Sequence, residues 1–137
     1  MLCAIHSLTE RVIGVAKILV VDDQLGVRRL LYEMFREDQH EVEMASNGSE
    51  AIQLLHSFQP ELILMDMKMP GLNGLEVLHR IRAIDQHVGV IMMTAYGDIR
   101  EFQQGEELAV LDYISKPFDL FELRQKVESI LKYPKEP

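Results

Sequence analysis

Residues 17–37 read KILVVDDQLGVRRLLYEMFRE. Lys17–Val21 (KILVV) is a continuous, β-branched apolar run, the pattern of a strand buried on both faces. Asp22 and Asp23 end it. Gln24–Glu37 then sets Val27, Leu31, Met34 and Phe35 along one helical face. A buried strand that runs into an amphipathic helix is the repeating unit of a parallel α/β sheet.

The same alternation extends along the chain. Leu62–Met65 (LILM) and Val88–Met93 (VGVIMM) read as buried strands, and Val110–Ile114 (VLDYI) is a fourth candidate. Glu41–Ala45 (EVEMA) alternates and predicts a half-exposed strand. Three of the intervening helices announce their starts. Asn47 precedes Glu50 at the head of Asn47–Phe58, Asn73 precedes Glu76, and Asp119 precedes Glu122. In each pair a short polar side chain caps early N–H groups and a glutamate can bond back. The last pair stands before the stripe Leu120, Leu123, Val127, Ile130 and Leu131. Asp98–Glu107 has few apolar anchors and contains Gly105, and predicts a short, loosely held helix. The order is β-α repeated five times: an α/β, doubly wound, five-stranded parallel sheet with five helices.

Composition narrows the function. The chain has 137 residues, the size of one domain, and normal apolar (47%) and charged (26%) fractions. Its net charge of −8 and lack of a basic cluster disfavour nucleic acid as a partner. No apolar run reaches the ~20 residues of a membrane span, and Met1–Ala16 lacks the basic start of a signal peptide. The lone Cys3 permits no internal disulfide and fits a cytoplasmic protein. The five histidines (His6, His40, His56, His79, His87) have no metal-ligand spacing and read as surface or packing residues.

Sites in doubly wound sheets form at the carboxyl ends of strands, near the topological switch point. Asp22 and Asp23 follow the first strand, Asp66 the third, Thr94 the fourth, and Lys116-Pro117 the fifth. Each has an ordinary reading as a cap, turn or solvated loop residue. Together they make coherent chemistry. Three close carboxylates repel, and a hard divalent cation relieves that repulsion; oxygen ligands suit Mg²⁺, or Mn²⁺ in its place. Thr94 and Lys116 add a hydroxyl and a positive charge for phosphoryl oxygens, and a carboxylate nucleophile would form an aspartyl phosphate. Gly71 and Gly74 fit a tight turn after Asp66.

Val20–Gln24 (VVDDQ), Met65–Gly74 (MDMKMPGLNG), Met93–Gly97 (MTAYG) and Ser115–Phe118 (SKPF) resemble the response-regulator receiver family. The likeness covers residues 17–132, leaving residues 1–16 as an N-terminal extension and 133–137 as a tail. The extension is read as a misassigned start in preference to a disordered arm or a short tether. The resemblance implies that Asp66 accepts a phosphoryl group. It implies that Asp22, Asp23, Asp66 and the Lys68 backbone carbonyl hold Mg²⁺, that Thr94 and Lys116 contact the phosphoryl group, and that Thr94 and Tyr113 form a switch. It also implies a cis Lys116–Pro117 bond. Lys68 and Tyr96 would shield the acyl phosphate and slow its loss, and the switch would shift residues 98–107.

Within the family the likeness is greatest to single-domain members of sporulation phosphorelays. It implies a relay intermediate, a phosphotransferase only in that sense, with no output domain after Tyr133. Its partners would be a sensor histidine kinase, a helical histidine phosphotransferase and an aspartyl-phosphate phosphatase. Gln24, Gly26, Val27, Leu30, Pro117 and Phe118 would form the docking surface on a monomer. Leu25, Val27 and Leu30 are apolar beyond the inward stripe and flank Asp23, which favours a partner patch over incidental exposure. Tyr113 departs from those relatives, which carry histidine there. Two other classes stay open: a stand-alone switch that never donates onward, and a Mg²⁺-dependent phosphohydrolase. Lys68 stands where the hydrolase would need a carboxylate.

Overall fold

A computed structural model describes residues 15–71, 73–94 and 108–132. Five strands and four helices lie within them: β1 (Lys17–Val21), α1 (Leu25–Glu37), β2 (Glu41–Ala45), α2 (Gly48–Ser57), β3 (Leu62–Asp66), α3 (Gly74–Ile84), β4 (Gly89–Thr94), β5 (Asp112–Ser115) and α4 (Leu120–Lys132). The fifth expected helix, at 98–107, lies outside the described residues. All strand pairs are parallel, in the order β2-β1-β3-β4-β5. From β1 the chain winds outward one way to β2 and then the other way through β3 to β5. The switch point therefore falls between the carboxyl ends of β1 and β3.

Side-chain alternation along the strands feeds two cores. Ile18, Val20, Leu62, Leu64, Ile91 and Met93 pack against Leu31, Met34 and Phe35 of α1 and Leu123 and Val127 of α4. Leu19, Val21, Ile63, Met65, Val90 and Met92 pack against Ala51 and Leu55 of α2 and Val77, Leu78 and Ile81 of α3. Burial on both sides explains why β1, β3 and β4 are unbroken apolar runs. Edge strand β2 exposes Glu41 and Glu43, charges that discourage pairing with another chain.

The caps behave as their chemistry requires. Asn47 and Asn73 accept from the N–H groups of Glu50 and Glu76, at 2.9 and 3.0 Å. Asp119 accepts from Phe121 and Glu122. At α2 the return bond reaches one residue further back than a capping box, from Glu50 to the Ser46 N–H. The boundaries of three strands, β3, β4 and β5, shift from the sequence pattern. β3 extends to Asp66, which pairs with Met93, and β4 runs from Gly89 to Thr94, which pairs with Ser115. β5 begins at Asp112, not Val110, because the chain turns at Ala109 in a left-handed conformation, φ 59°. Arg82 holds that turn by donating to the Leu108, Ala109 and Val88 carbonyls.

Among the described residues one histidine is not on the surface. His40 is buried, its ring stands edge-on to Phe35, and its Nδ1 accepts the Ala16 N–H at 3.0 Å. Burial holds its pKa below the ordinary 6.5, against the opposing pull of Asp38, Glu128 and Glu61. The unfolded chain therefore binds this proton at higher pH than the folded one, and stability falls as pH drops through about 6.5. Urea midpoints measured from about pH 7.5 to about pH 5.5 should fall more steeply for the wild type than for His40→Gln. Equal slopes would contradict a buried neutral imidazole.

Candidate functional site

The acidic site follows from strand register. Val21 lies opposite Met65, so the next residues, Asp22 and Asp66, emerge side by side at the switch point. One ligand oxygen from each of Asp22, Asp23 and Asp66 lies within 4.8 Å of the others. Asp22 is fully buried, Asp66 nearly so, and Asp23 is exposed. Thr94 is buried at the end of β4, on the strand next to Asp66.

Lys116 reaches the carboxylates from the end of β5. Its Nζ lies 2.6 Å from Asp22 Oδ2 and 3.3 Å from Asp66 Oδ2. The backbone aims it there, since the Lys116 N–H donates to the Thr94 carbonyl at 2.7 Å. The Lys116–Pro117 bond is cis. Tyr113 is half-buried against the α2–α3 core, on the sheet face that Thr94 also occupies by alternation. Tyr96 lies outside the described residues.

The turn after Asp66 is shaped by close approach. The Lys68 N–H donates to Asp66 Oδ1 at 3.4 Å, and the Gly74 N–H donates to the Met67 carbonyl at 2.7 Å. A Cβ at Gly74 would stand 2.7 Å from the Asp66 carbonyl oxygen, so only glycine fits there. Gly71 takes φ 85°, the left-handed conformation that glycine favours. Met65, Met67 and Met69 are all buried, as strand core and turn packing.

Among the described residues this is the one place where three such ligands converge. The donors are all carboxylate oxygens with open access on the Asp23 side, which suits a hard divalent cation that keeps some of its water. Two pieces of the surrounding surface are apolar and exposed. Leu25 and Leu30 on α1 are 54% and 45% exposed, and Phe121, outside the inward stripe of α4, is 66% exposed. Gln24, Gly26 and Pro117 are also exposed, while Val27 and Phe118 are half-buried against the α1–α4 core. A cleft of about 600 Å³ at the opposite ends of the strands includes His56, Asp85 and His87. The Asp85 carboxylate is taken there by the His87 and Val88 N–H groups, so that cleft offers no comparable constellation.

Sequence reasoning passed over one arginine of the site. Arg28, in the first turn of α1, donates from Nη1 to the Asp22 carbonyl oxygen at 2.7 Å. The available signal was its spacing: a long basic side chain five residues after Asp23, one helical turn beyond Gln24 at the helix start.

Residues 18–128 match the family model of the response regulator receiver domain, and the chain belongs to that family. It is 44% identical over 115 residues to sporulation initiation phosphotransferase F of Bacillus subtilis, covering 84% of this chain and 93% of that protein. It is 36% identical to the regulatory protein AtoC of Escherichia coli, of which it spans 26%. Among solved structures it resembles a response regulator receiver protein from Pseudomonas putida, with TM-score 0.80 and 27% identity, covering 85% of this chain and 98% of that one. It also resembles the non-phosphorylated HemR receiver domain from Leptospira biflexa, with TM-score 0.81 and 29% identity, covering 88% and 97%. No helix among the described residues is long and apolar enough to cross a membrane.

Burial raises the Asp66 pKa above the ordinary 3.8; Lys116 opposes this and Asp22 adds to it. A raised carboxylate contributes stability below its ordinary pKa and loses it as pH rises through the folded value. At neutral pH without a divalent cation, Asp66→Asn should therefore raise stability by on the order of 1 kcal/mol. Mg²⁺ should narrow that gap by stabilising the wild type more. Denaturant melts in EDTA and in Mg²⁺ check both; a mutant no more stable in EDTA would contradict the crowding of charge at the site.

Proposed function

We propose that this chain is a phosphorelay intermediate that accepts a phosphoryl group on Asp66 and passes it to a histidine. The observation that carries this reading is the Lys116 ammonium set between the Asp22 and Asp66 carboxylates at the switch point. An Asp66 oxygen attacks the phosphorus of a kinase phosphohistidine. The O–P bond forms as the N–P bond breaks, and the imidazole nitrogen keeps the electron pair. The product is an acyl phosphate, and transfer onward runs the same exchange in reverse.

Charge moves onto the phosphoryl oxygens during transfer. Lys116 and the Thr94 hydroxyl are the groups we assign to them. Asp22, Asp23, Asp66 and the Lys68 backbone carbonyl would hold Mg²⁺, or Mn²⁺, which when bound offsets the negative charge of the carboxylates and the phosphoryl group. Thr94 and Tyr113 are the proposed switch pair. Lys68 and Tyr96 would screen the acyl phosphate from water.

The likeness to sporulation initiation phosphotransferase F over nearly all of that protein supports a relay role in sporulation initiation. On this reading the partners are a sensor histidine kinase, a helical histidine phosphotransferase and an aspartyl-phosphate phosphatase. They would dock on Gln24, Gly26, Val27, Leu30, Pro117 and Phe118 of a cytoplasmic monomer. The exposure of Leu25 and Leu30 next to Asp23 supports an apolar contact there. The receiver unit is taken as residues 17–132.

Radiolabelled histidine kinase, incubated with wild type or Asp66→Ala and then with a histidine phosphotransferase domain, tests the transfer. The expected result is label on the wild type alone, then on the histidine. Label that stays on Asp66 until it hydrolyses, beside a competent phosphotransferase, would contradict onward transfer and leave a stand-alone switch.

A further inference from the structure

Asp22 is fixed from four directions. Its N–H donates to the Ala45 carbonyl at 3.1 Å, its Oδ1 accepts the Gln24 N–H at 2.8 Å, and its Oδ2 accepts Lys116 at 2.6 Å. Its carbonyl oxygen accepts Arg28 Nη1 at 2.7 Å. Asp23 differs. It is exposed, and among the described residues no donor engages its carboxylate. Its place in the cluster is therefore set through the backbone.

The Asp22 carbonyl and the Asp23 N–H belong to one planar peptide unit. A bond that fixes the carbonyl fixes the plane from which the Asp23 side chain leaves. Arg28 is well placed to do so. Its own N–H donates to the Gln24 carbonyl as the first bond of α1, so its backbone is anchored, and its side chain is half-buried.

We infer that Arg28 is a positioning residue for the cation site: by holding the Asp22 carbonyl it presents the Asp23 carboxylate to Asp22 and Asp66. This rests on the proposed reading of the three aspartates as a Mg²⁺ site. A guanidinium beside a cation site also repels the cation. By Coulomb's law alone, removing it would tighten Mg²⁺ binding. Positioning predicts the opposite sign, so the direction of the change separates the two effects.

Calorimetric titration of the full chain with MgCl₂ reads it directly. Arg28→Met should weaken Mg²⁺ binding about tenfold, the scale on which partners of metal ligands act. Arg28→Lys, which keeps a donor of nearly the same reach, should recover most of the affinity. Arg28→Gln, whose amide ends short of the carbonyl, should be weakened like Arg28→Met and carries the test if that variant does not fold. Wild type that binds no Mg²⁺ would overturn the metal-site reading itself. Wild type that binds, with Arg28→Met and Arg28→Gln equal or tighter, would overturn the role of Arg28 and leave that reading standing.

Discussion

Three carboxylates drawn to within 4.8 Å of one another repel, and the site is arranged around that repulsion. Parallel register brings Asp22 beside Asp66, and the two-sided burial of β1 and β3 leaves neither strand free to slip. Solvent cannot screen Asp22, which is fully buried. The compensation is therefore built from the protein: Lys116 on the two buried carboxylates, backbone N–H groups on Asp22 and Asp66, and Arg28 on the connecting peptide. Two positive side chains, Lys116 and Arg28, against three carboxylates leave an excess of negative charge. A divalent cation would relieve that excess, and on the proposed reading this would couple acceptance of a phosphoryl group to the metal.

The parts of the fold that rest on burial were legible in the sequence. KILVV, LILM and VGVIMM could be read as central strands because strands covered on both faces have no polar alternation to blur them. The helix starts at Asn47, Asn73 and Asp119 were legible because a capping side chain leaves a local mark. β5 was placed two residues early because its start is set by distant groups. Arg82 on α3 fixes the Leu108–Ala109 turn, and no pattern within Val110–Ile114 carries that information. His40 could not be told from its exposed counterparts for the same reason. Its partners, Phe35 and the Ala16 N–H, come from other elements.

The members of the acidic site were legible as strand-end residues, but their relation was not. Sequence order brings Asp22, Asp66, Thr94 and Lys116 to one end of the sheet. Only the geometry shows that Lys116 bridges Asp22 and Asp66, and that Asp23 stands apart as the solvent-facing carboxylate. The apolar patch was partly legible. Leu25 and Leu30 fall outside the inward stripe of α1, as the helical period requires. Phe121 is the most exposed of the large apolar residues described, beyond Pro117 and Phe118 in the chain, and it widens the apolar surface at the head of α4.

Asp66 is the proposed nucleophile, and the surrounding charges would make it reactive only with a divalent cation. The most direct measurement needs no partner protein. The chain is incubated with a small phosphodonor such as acetyl phosphate, with Mg²⁺ or with EDTA, reduced with borohydride, and mapped by peptide mass spectrometry. The expected result is reduction of the acyl phosphate at Asp66 alone, in Mg²⁺ and not in EDTA. Modification at Asp22 or Asp23, or equal modification of Asp66 without a cation, would contradict it.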